Sequence, residues 1–236
     1  MPALLCKWPQ VSALLILCAC GNSPPEIPAG ETPLKWLEDI EAFEAEALLE
    51  PVPLDAALFI GSSSIRRWDT LQEDMAPLPI IKRGFGGSRL FDSVYWADRL
   101  VLAHAPAVIV MFSGTNDIKG EEPKSAVRVK DLFEQFVRRI RRACCEAPIV
   151  YIAINPSMAR IEHLDIVKET NRQIASFCER DSSLHFVDTA TALLDEQGQP
   201  DSHWFLEDEL HLNPAGYALW TERIKPLVAR LLDAAR

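Results

Sequence analysis

The sequence lacks several features that would assign it to other classes of protein. It has no internal repeat and no low-complexity tract, which excludes solenoid and fibrous architectures. Basic residues are in the minority, with 24 Lys and Arg against 34 Asp and Glu in 236 residues and a net charge of −10, so nucleic acid is not expected as a partner. No cysteine and histidine spacing is typical of a metal site.

Long apolar runs are also missing, and the apolar run near the N-terminus is too short to span a bilayer. Residues 11–19 are apolar except for one serine, which is typical of the central region of a signal peptide. The run ends in Leu17-Cys18-Ala19-Cys20, which resembles the lipobox of bacterial lipoproteins because a small residue precedes the acceptor cysteine. The resemblance predicts removal of residues 1–19 and a lipid on Cys20. The alternative is an ordinary cleaved signal peptide with an incidental cysteine.

The residues after the acceptor cysteine indicate a compartment and a tether. Gly21, rather than an aspartate, follows Cys20. In lipoproteins this resemblance implies export to the outer membrane, with the protein facing the periplasm. Residues 20–32 contain three prolines and are expected to form a flexible tether to the membrane. The folded domain is then expected at residues 33–236.

Three cysteines of the expected domain allow one disulfide at most in an oxidising compartment. Cys144 or Cys145 would pair with Cys178 if the helices that carry them end near each other on one face of a sheet. The alternative is that these cysteines are buried thiols. The sequence leaves both open.

The rest of the sequence alternates strand-like and helix-like segments. Short apolar runs, typical of strands covered on both faces, occur at residues 56–60, 79–82, 107–112, 149–154 and 184–187. Amphipathic stretches predict helices at residues 32–49, 88–103, 123–144, 163–180 and 214–235. This alternation predicts an α/β fold with a doubly wound parallel sheet, in which ligands bind beyond the carboxyl ends of the strands.

Four polar segments lie where such a fold places its ligand. They are Phe-Ile-Gly-Ser-Ser-Ser at 59–64, Arg-Gly-Phe-Gly-Gly-Ser at 83–88, Ser-Gly-Thr-Asn-Asp at 113–117 and Asp-Glu-Leu-His-Leu at 208–212. In this order they resemble the four blocks of the SGNH hydrolases, also called the GDSL esterase/lipase family, across residues 55–235. The second segment also resembles the platelet-activating-factor acetylhydrolase branch.

This resemblance implies a fold, an activity and a set of site residues. The implied fold is a flavodoxin-like three-layer α/β/α sandwich with a five-stranded parallel sheet, and no metal or organic cofactor is implied. Ser63 would be the nucleophile, His211 the base and Asp208 the acid that orients the base. The backbone N–H groups of Ser63 and Gly87 and the side-chain amide of Asn116 would form the oxyanion hole. The implied activity is hydrolysis of a small-molecule carboxylic ester: a lipid, a lysophospholipid or an acetylated carbohydrate.

One departure from the family pattern affects the choice of nucleophile. The family's Gly-Asp-Ser is Gly61-Ser62-Ser63 here, which leaves three adjacent serines. Register with the family selects Ser63, and Ser62 and Ser64 are expected to bond backbone in the turn. Two other functions stay open: an acyltransferase that uses the same residues, and a noncatalytic binding lipoprotein.

The sequence says less about the residues around the site than about the site itself. Four aromatic residues near the segments suggest either an apolar rim for the substrate or simple packing; they are Trp68, Phe85, Trp204 and Phe205. Asp117 is expected to serve the turn rather than the site. The arginines at 138, 139, 141 and 142 are expected to form a solvated face at a helix end.

Overall fold

A computed structural model describes residues 23–49, 52–143 and 145–235. Its centre is one five-stranded parallel sheet with the order β2-β1-β3-β4-β5. The strands are β1 Ala57–Gly61, β2 Ile80–Gly84, β3 Val108–Phe112, β4 Ile149–Ile152 and β5 Leu184–Val187. This order is that of flavodoxin-like folds, so the fold expected from the sequence is confirmed.

The helices cover both faces of the sheet. They are α1 Leu37–Leu49, α2 Ser63–Arg66, α3 Leu71–Met75, α4 Leu90–Tyr95, α5 Ala97–Leu100, α6 Ala126–Arg142, α7 Leu164–Cys178 and α8 Pro214–Ala234. Short 3-10 turns occupy Pro33–Trp36, Leu102–His104, Met158–His163, Thr191–Leu193 and Ser202–Trp204.

Two apolar cores hold the three layers together. On one face of the sheet, buried side chains of α1, α4, α6 and α7 pack against residues such as Leu58 and Ile109. On the other face, α3 and α8 pack against residues such as Phe59 and Val110. Every residue of β1 and β3 is buried, which explains why these strands are continuous apolar runs rather than alternating ones.

Two predicted helices differ from the observed ones in where they begin or break. Side-chain contacts determine both positions. The helix predicted from residue 123 begins at Ala126, because the Ser125 hydroxyl accepts the backbone N–H of Arg128 and caps the helix there. The helix predicted across residues 88–103 is divided at Trp96, whose backbone is not helical (φ −92°, ψ 8°). The indole N–H of Trp96 donates to the carbonyl oxygen of Pro33, and this buried contact favours the break.

The expectation of a solvated arginine face is wrong for two of its members. Arg139 is only 9% exposed, and its guanidinium lies 2.6 Å from the Asp98 carboxylate. Arg141 donates to the carbonyl oxygens of Cys145 and Ala147, at 2.8 and 3.0 Å. These contacts fasten the end of α6 to the chain that leads into β4.

The described cysteines are not bridged. Cys145 and Cys178 are both free thiols, so the Cys145–Cys178 disulfide, one of the alternatives that the sequence left open, is absent. Cys178 is the last residue of α7 and is packed in the core, and burial raises the pKa of its thiol to about 12. The alternative partner, Cys144, lies outside the described residues.

The described part of the predicted tether lies against the domain. Residues 23–32 form no helix or strand, but Ser23 accepts a hydrogen bond from Arg139 through its carbonyl oxygen, at 3.1 Å. Glu31 is 9% exposed and lies 2.7 Å from the Lys124 ammonium group. Arg139 and Lys124 thus hold the two ends of this described stretch against the domain.

The predicted signal peptide and Cys20 lie outside the described residues. Within the ranges that are described, none of the helices has the length and apolar character needed to cross a membrane.

Candidate active site

The turn after β1 places Ser63 at the carboxyl edge of the sheet. Gly61 ends the strand with φ +141°, and a Cβ atom there would lie 1.9 Å from the carbonyl oxygen of Phe112 in β3. Only glycine lets the two strands approach so closely. The next amide, that of Ser62, donates to the same Phe112 oxygen at 3.0 Å, and α2 then begins at Ser63.

Ser63, His211 and Asp208 form one hydrogen-bonded chain. The Ser63 hydroxyl oxygen lies 2.9 Å from His211 Nε2, and His211 Nδ1 lies 2.6 Å from a carboxylate oxygen of Asp208. A carboxylate in this place holds the proton on Nδ1 and leaves Nε2 free to accept the hydroxyl proton. The arrangement can therefore raise the nucleophilicity of the serine.

The loop that carries the acid and the base is braced by its own backbone. The other carboxylate oxygen of Asp208 accepts the backbone N–H groups of Leu210 and His211, at 3.1 and 2.9 Å. Partial burial acts to raise the pKa of Asp208, but these bonds and the histidine ring outweigh it and lower the pKa to about 2. Asp208 is therefore ionised at neutral pH.

Asn213 fixes the same loop to α8. Its side-chain oxygen accepts the backbone N–H groups of Ala215 and Gly216, which caps the helix. Its amide nitrogen donates to the carbonyl oxygens of His203 and Phe205, at 2.7 and 3.1 Å. One side chain thus joins the start of the helix to the chain that precedes Asp208.

The three adjacent serines differ in their surroundings. Ser62 and Ser64 are buried, at 1% and 5% exposure, whereas Ser63 is half-buried and its hydroxyl meets His211. The Ser62 carbonyl accepts backbone N–H groups of α2, and the Ser64 carbonyl accepts the hydroxyl of Tyr217. The geometry thus pairs Ser63, rather than its neighbours, with the histidine.

Asn116 lies beside Ser63, and Gly87 lies in the next turn. Asn116 follows β3, is 9% exposed, and lines the same cavity as Ser63 and His211. One N–H of its amide donates to the carbonyl oxygen of Ser88 at 3.0 Å, which leaves the second N–H for a ligand. Gly87 has φ +84° and precedes Ser88, the residue that accepts the Asn116 amide. Gly87 itself is not among the residues that line the cavity.

Asp117 is directed away from the serine. Its carboxylate accepts the backbone N–H of Leu90 at 2.8 Å and forms an ion pair with Lys124. Burial raises the pKa of Asp117, and the charge of Lys124 opposes that shift. The residue therefore ties the turn after β3 to the start of α4.

Asn155 is a site residue that sequence reasoning missed. It follows β4, is 3% exposed, and lines the cavity together with Ser63, Asn116 and His211. Neither polar atom of its amide has a protein partner among the described residues. A buried amide is normally hydrogen-bonded, so its bare polar atoms point to a ligand. Its position after the apolar run at residues 149–154 was the sequence feature that could have identified it as a site residue.

Of the two alternatives for the four aromatic residues, simple packing is confirmed for three. Trp68 and Phe85 are fully buried and Phe205 is 5% exposed, so all three belong to the core. Trp68 stacks on Tyr217 of α8 with ring centroids 5.4 Å apart. Trp204 is half-buried and packs against the same core. These rings hold the site's loops to the sheet rather than face a substrate.

The cavity at Ser63 is small. It has a volume of about 10 Å³, and it is lined by the turn after β1, by Asn116 and Asn155, and by Leu210 and His211. A reacting acyl group therefore has little enclosed space beyond its first carbon atoms.

The fold and the site together define a class of protein: hydrolases with a serine, histidine and aspartate at the carboxyl edge of a flavodoxin-like sheet. The chain belongs to the GDSL-like lipase/acylhydrolase family, which it matches over residues 60–219. The resemblance found in the sequence is thus confirmed. No curated protein matches the chain.

Solved structures from several organisms are similar to the chain. A protein from Streptococcus pneumoniae described as a platelet activating factor is 22% identical with a TM-score of 0.71, over 83% of this chain and 94% of that one. A GDSL-like lipase from Bacteroides thetaiotaomicron is 16% identical with a TM-score of 0.70, over 81% and 97%. A carbohydrate esterase of family 3 from Talaromyces cellulolyticus is 14% identical with a TM-score of 0.62, over 76% and 99%. At these identities the similarity establishes the fold.

Proposed function

We propose that the protein is a serine esterase that hydrolyses carboxylic esters through an acyl-enzyme on Ser63. The observation that carries this proposal is the hydrogen-bonded chain from the Ser63 hydroxyl through His211 to Asp208. A serine hydroxyl is a poor nucleophile at neutral pH unless a base of this kind takes its proton.

The reaction follows from the positions of these groups. Ser63 Oγ attacks the ester carbonyl carbon as its proton passes to His211 Nε2, and Asp208 stabilises the imidazolium. The carbonyl oxygen becomes an oxyanion, to which the N–H groups of Ser63, Gly87 and Asn116 would donate. His211 then protonates the departing alcohol. Water attacks the acyl-enzyme, gives its proton to His211, and releases the carboxylic acid and Ser63.

The cavity volume supports a short acyl group, such as acetyl. The small cavity beside Ser63 favours a short acyl group over one with a long enclosed alkyl chain. One of the similar structures is a carbohydrate esterase, and we take an acetylated carbohydrate as the favoured substrate class over a long-chain lipid.

Turnover of 4-nitrophenyl esters with two to twelve acyl carbons tests this proposal. We expect activity in the wild type and in Ser62→Ala, and its loss in Ser63→Ala, together with labelling of Ser63 by a fluorophosphonate. Ser62→Ala is a matched control because it removes a hydroxyl from the neighbouring residue. Equal activity in the Ser63→Ala variant, or no turnover and no labelling, would reject the esterase.

We also propose that the protein is anchored to the outer membrane through a lipid on Cys20 and faces the periplasm. The motif Leu17-Cys18-Ala19-Cys20 followed by Gly21 supports this. Mass spectrometry of the protein from a membrane fraction should show an N-terminal diacylglyceryl cysteine. Cys20→Ser should move the protein out of the membrane fraction. A mature N-terminus at any other residue would contradict the anchor.

A further inference from the structure

Four basic residues lie close to the elements that build the site, in a protein that is acidic as a whole. The chain has a net charge of −10, yet four basic residues are adjacent to residues that form or support the site. The four, which we call the basic mouth, are Lys35, Arg89, Lys119 and Arg160.

Two members of the basic mouth flank the catalytic loops directly. Lys119 is exposed and lies three residues after Asn116. Arg160 follows Ala159, whose backbone N–H donates to the carbonyl oxygen of Glu209 at 3.1 Å, in the loop between Asp208 and His211. The position of Lys119 in the chain puts it close to the turn after β3, and the backbone bond of Ala159 puts Arg160 close to the histidine loop.

The other two members lie on the side of the second turn. Arg89 follows Ser88, whose carbonyl oxygen accepts the amide of Asn116. Lys35 precedes Trp36, whose ring lies 3.5 Å from the position that a Cβ of Gly87 would take. Arg89, Lys119 and Arg160 follow β2, β3 and β4, so the basic mouth lies at the carboxyl edge of the sheet, the edge that carries Ser63.

The four cations are close enough to repel one another. Desolvation lowers the pKa of Lys119, and the charges of Arg89, Arg160 and Lys35 lower it further. Asp117 acts in the opposite direction, but it is already paired with Lys124.

Carboxylate partners within the protein leave part of this charge uncompensated. Arg89 has Glu31 at 3.6 Å. Among the described residues, neither Lys119 nor Arg160 has an ion-pair partner, and the buried Nε of Arg160 has no hydrogen-bond acceptor. Like charges that outnumber their counterions are unfavourable in the free protein, and a bound anion reduces that cost.

We propose that the basic mouth binds an anionic group, a carboxylate or a phosphate, on the alcohol side of the ester. This inference rests on the proposed esterase function. We place the charge on the alcohol side because the small cavity at Ser63 favours a short acyl group. Arg160 and Lys119 would donate to the anion, since a guanidinium and an ammonium are the usual partners of carboxylates and phosphates.

A matched pair of esters tests the proposal. The probes are 3-carboxy-4-nitrophenyl acetate and the neutral 3-carbamoyl-4-nitrophenyl acetate, which have nearly the same shape. We expect kcat/KM to favour the carboxylate ester by at least fivefold at low salt. Lys119→Gln and Arg160→Gln should each lower this preference about fivefold, and 0.5 M NaCl should reduce it in the wild type. Arg142→Gln, an exposed arginine at the far end of α6, should leave the preference unchanged.

Each outcome decides the question. Equal turnover of the two esters, or a preference that neither variant lowers, would overturn the proposal while leaving the esterase intact. Absence of turnover on both esters would count against the esterase, and calorimetry with Ser63→Ala then decides the binding question. If Ser63→Ala binds the carboxylate ester more tightly than the carbamoyl ester, and Lys119→Gln weakens that binding, the basic mouth is supported. Equal binding of the two esters, or no binding of either, rejects it. Inhibition by glucose 6-phosphate or by glucuronate, with glucose as control, separates phosphate from carboxylate.

Discussion

Replacing Asp208 by asparagine tests the role of the acid while leaving the loop almost unchanged. The asparagine oxygen can still accept the backbone N–H groups of Leu210 and His211, which lie 3.1 and 2.9 Å from it in the wild type. The other atom, 2.6 Å from His211 Nδ1, becomes an N–H donor. The ring must then carry its proton on Nε2, where it can no longer accept the proton of Ser63.

The expected size of the effect separates two explanations. Loss of one charge-assisted hydrogen bond costs about 1.5–3 kcal/mol, which is roughly 10- to 150-fold in rate. Inversion of the tautomer adds to this, and the analogous change in serine proteases costs about 10⁴-fold, or about 5.5 kcal/mol. We therefore expect kcat/KM on 4-nitrophenyl acetate to fall by 10³- to 10⁴-fold in Asp208→Asn.

Glu207→Gln is the matched control for this experiment. It removes one carboxylate from the adjacent, exposed position without touching the histidine, so kcat/KM should stay within about twofold. The melting temperature of Asp208→Asn should remain near that of the wild type. A loss smaller than tenfold in a folded Asp208→Asn would refute the assignment of this carboxylate as the orienting acid.

Three further predictions concern the cavity, a buried ion pair and a buried thiol. Turnover at Ser63 should fall at least tenfold between two-carbon and eight-carbon acyl chains, and Asn155→Ala should raise KM for the acetyl ester because its amide faces the cavity. Lys124→Met should lower the free energy of unfolding by roughly 3–5 kcal/mol in urea, because it leaves the buried carboxylate of Asp117 unpaired. Cys178 should resist iodoacetamide at pH 8 until the protein is unfolded, since burial raises its pKa to about 12.

Control measurements, and results that would contradict them, can be named for these three predictions. Lys168→Met, at an exposed lysine, should change the unfolding free energy by less than 0.5 kcal/mol, and an equal loss in both variants would contradict the ion-pair argument. The half-buried Cys145 should react faster than Cys178, and equal native reactivity would show that Cys178 is accessible. A flat chain-length profile would contradict the small acyl cavity.

Strand positions were predictable because burial on both faces demands continuous apolar runs. Each run in the sequence contains or overlaps an observed strand, and the glycine-rich turns after them locate the carboxyl edge. Helix limits were less predictable, because single contacts decide them. The hydroxyl of Ser125 sets the start of α6, and the contact from Trp96 to Pro33 interrupts the helix predicted over residues 88–103.

The site was accessible to sequence reasoning to the extent that its residues occur in patterned segments. Ser63, Asp208 and His211 lie in such segments, and the structure brings them into one hydrogen-bonded chain. Asn155 was missed because a single asparagine after a strand forms no pattern, and its importance depends on which polar atoms lack partners. For Trp68 the sequence left packing and substrate contact open, because the position of a residue near a site does not show which way its ring points.

The course of residues 23–32 determines which way the active site would face on a membrane. Glu31 is held by Lys124 just ahead of α6, at the site end of the sheet, whereas Ser23 is held by Arg139 about 20 Å further along that helix. There, Arg141 bonds the chain that leads into β4, so Ser23 lies at the amino ends of the strands. Cys20 precedes Ser23 by three residues in the sequence. A lipid on Cys20 would thus attach the domain to the membrane at the amino ends of the strands. Ser63, at the carboxyl ends, would then face away from the membrane, toward dissolved or wall-bound esters instead of the lipids of its own leaflet.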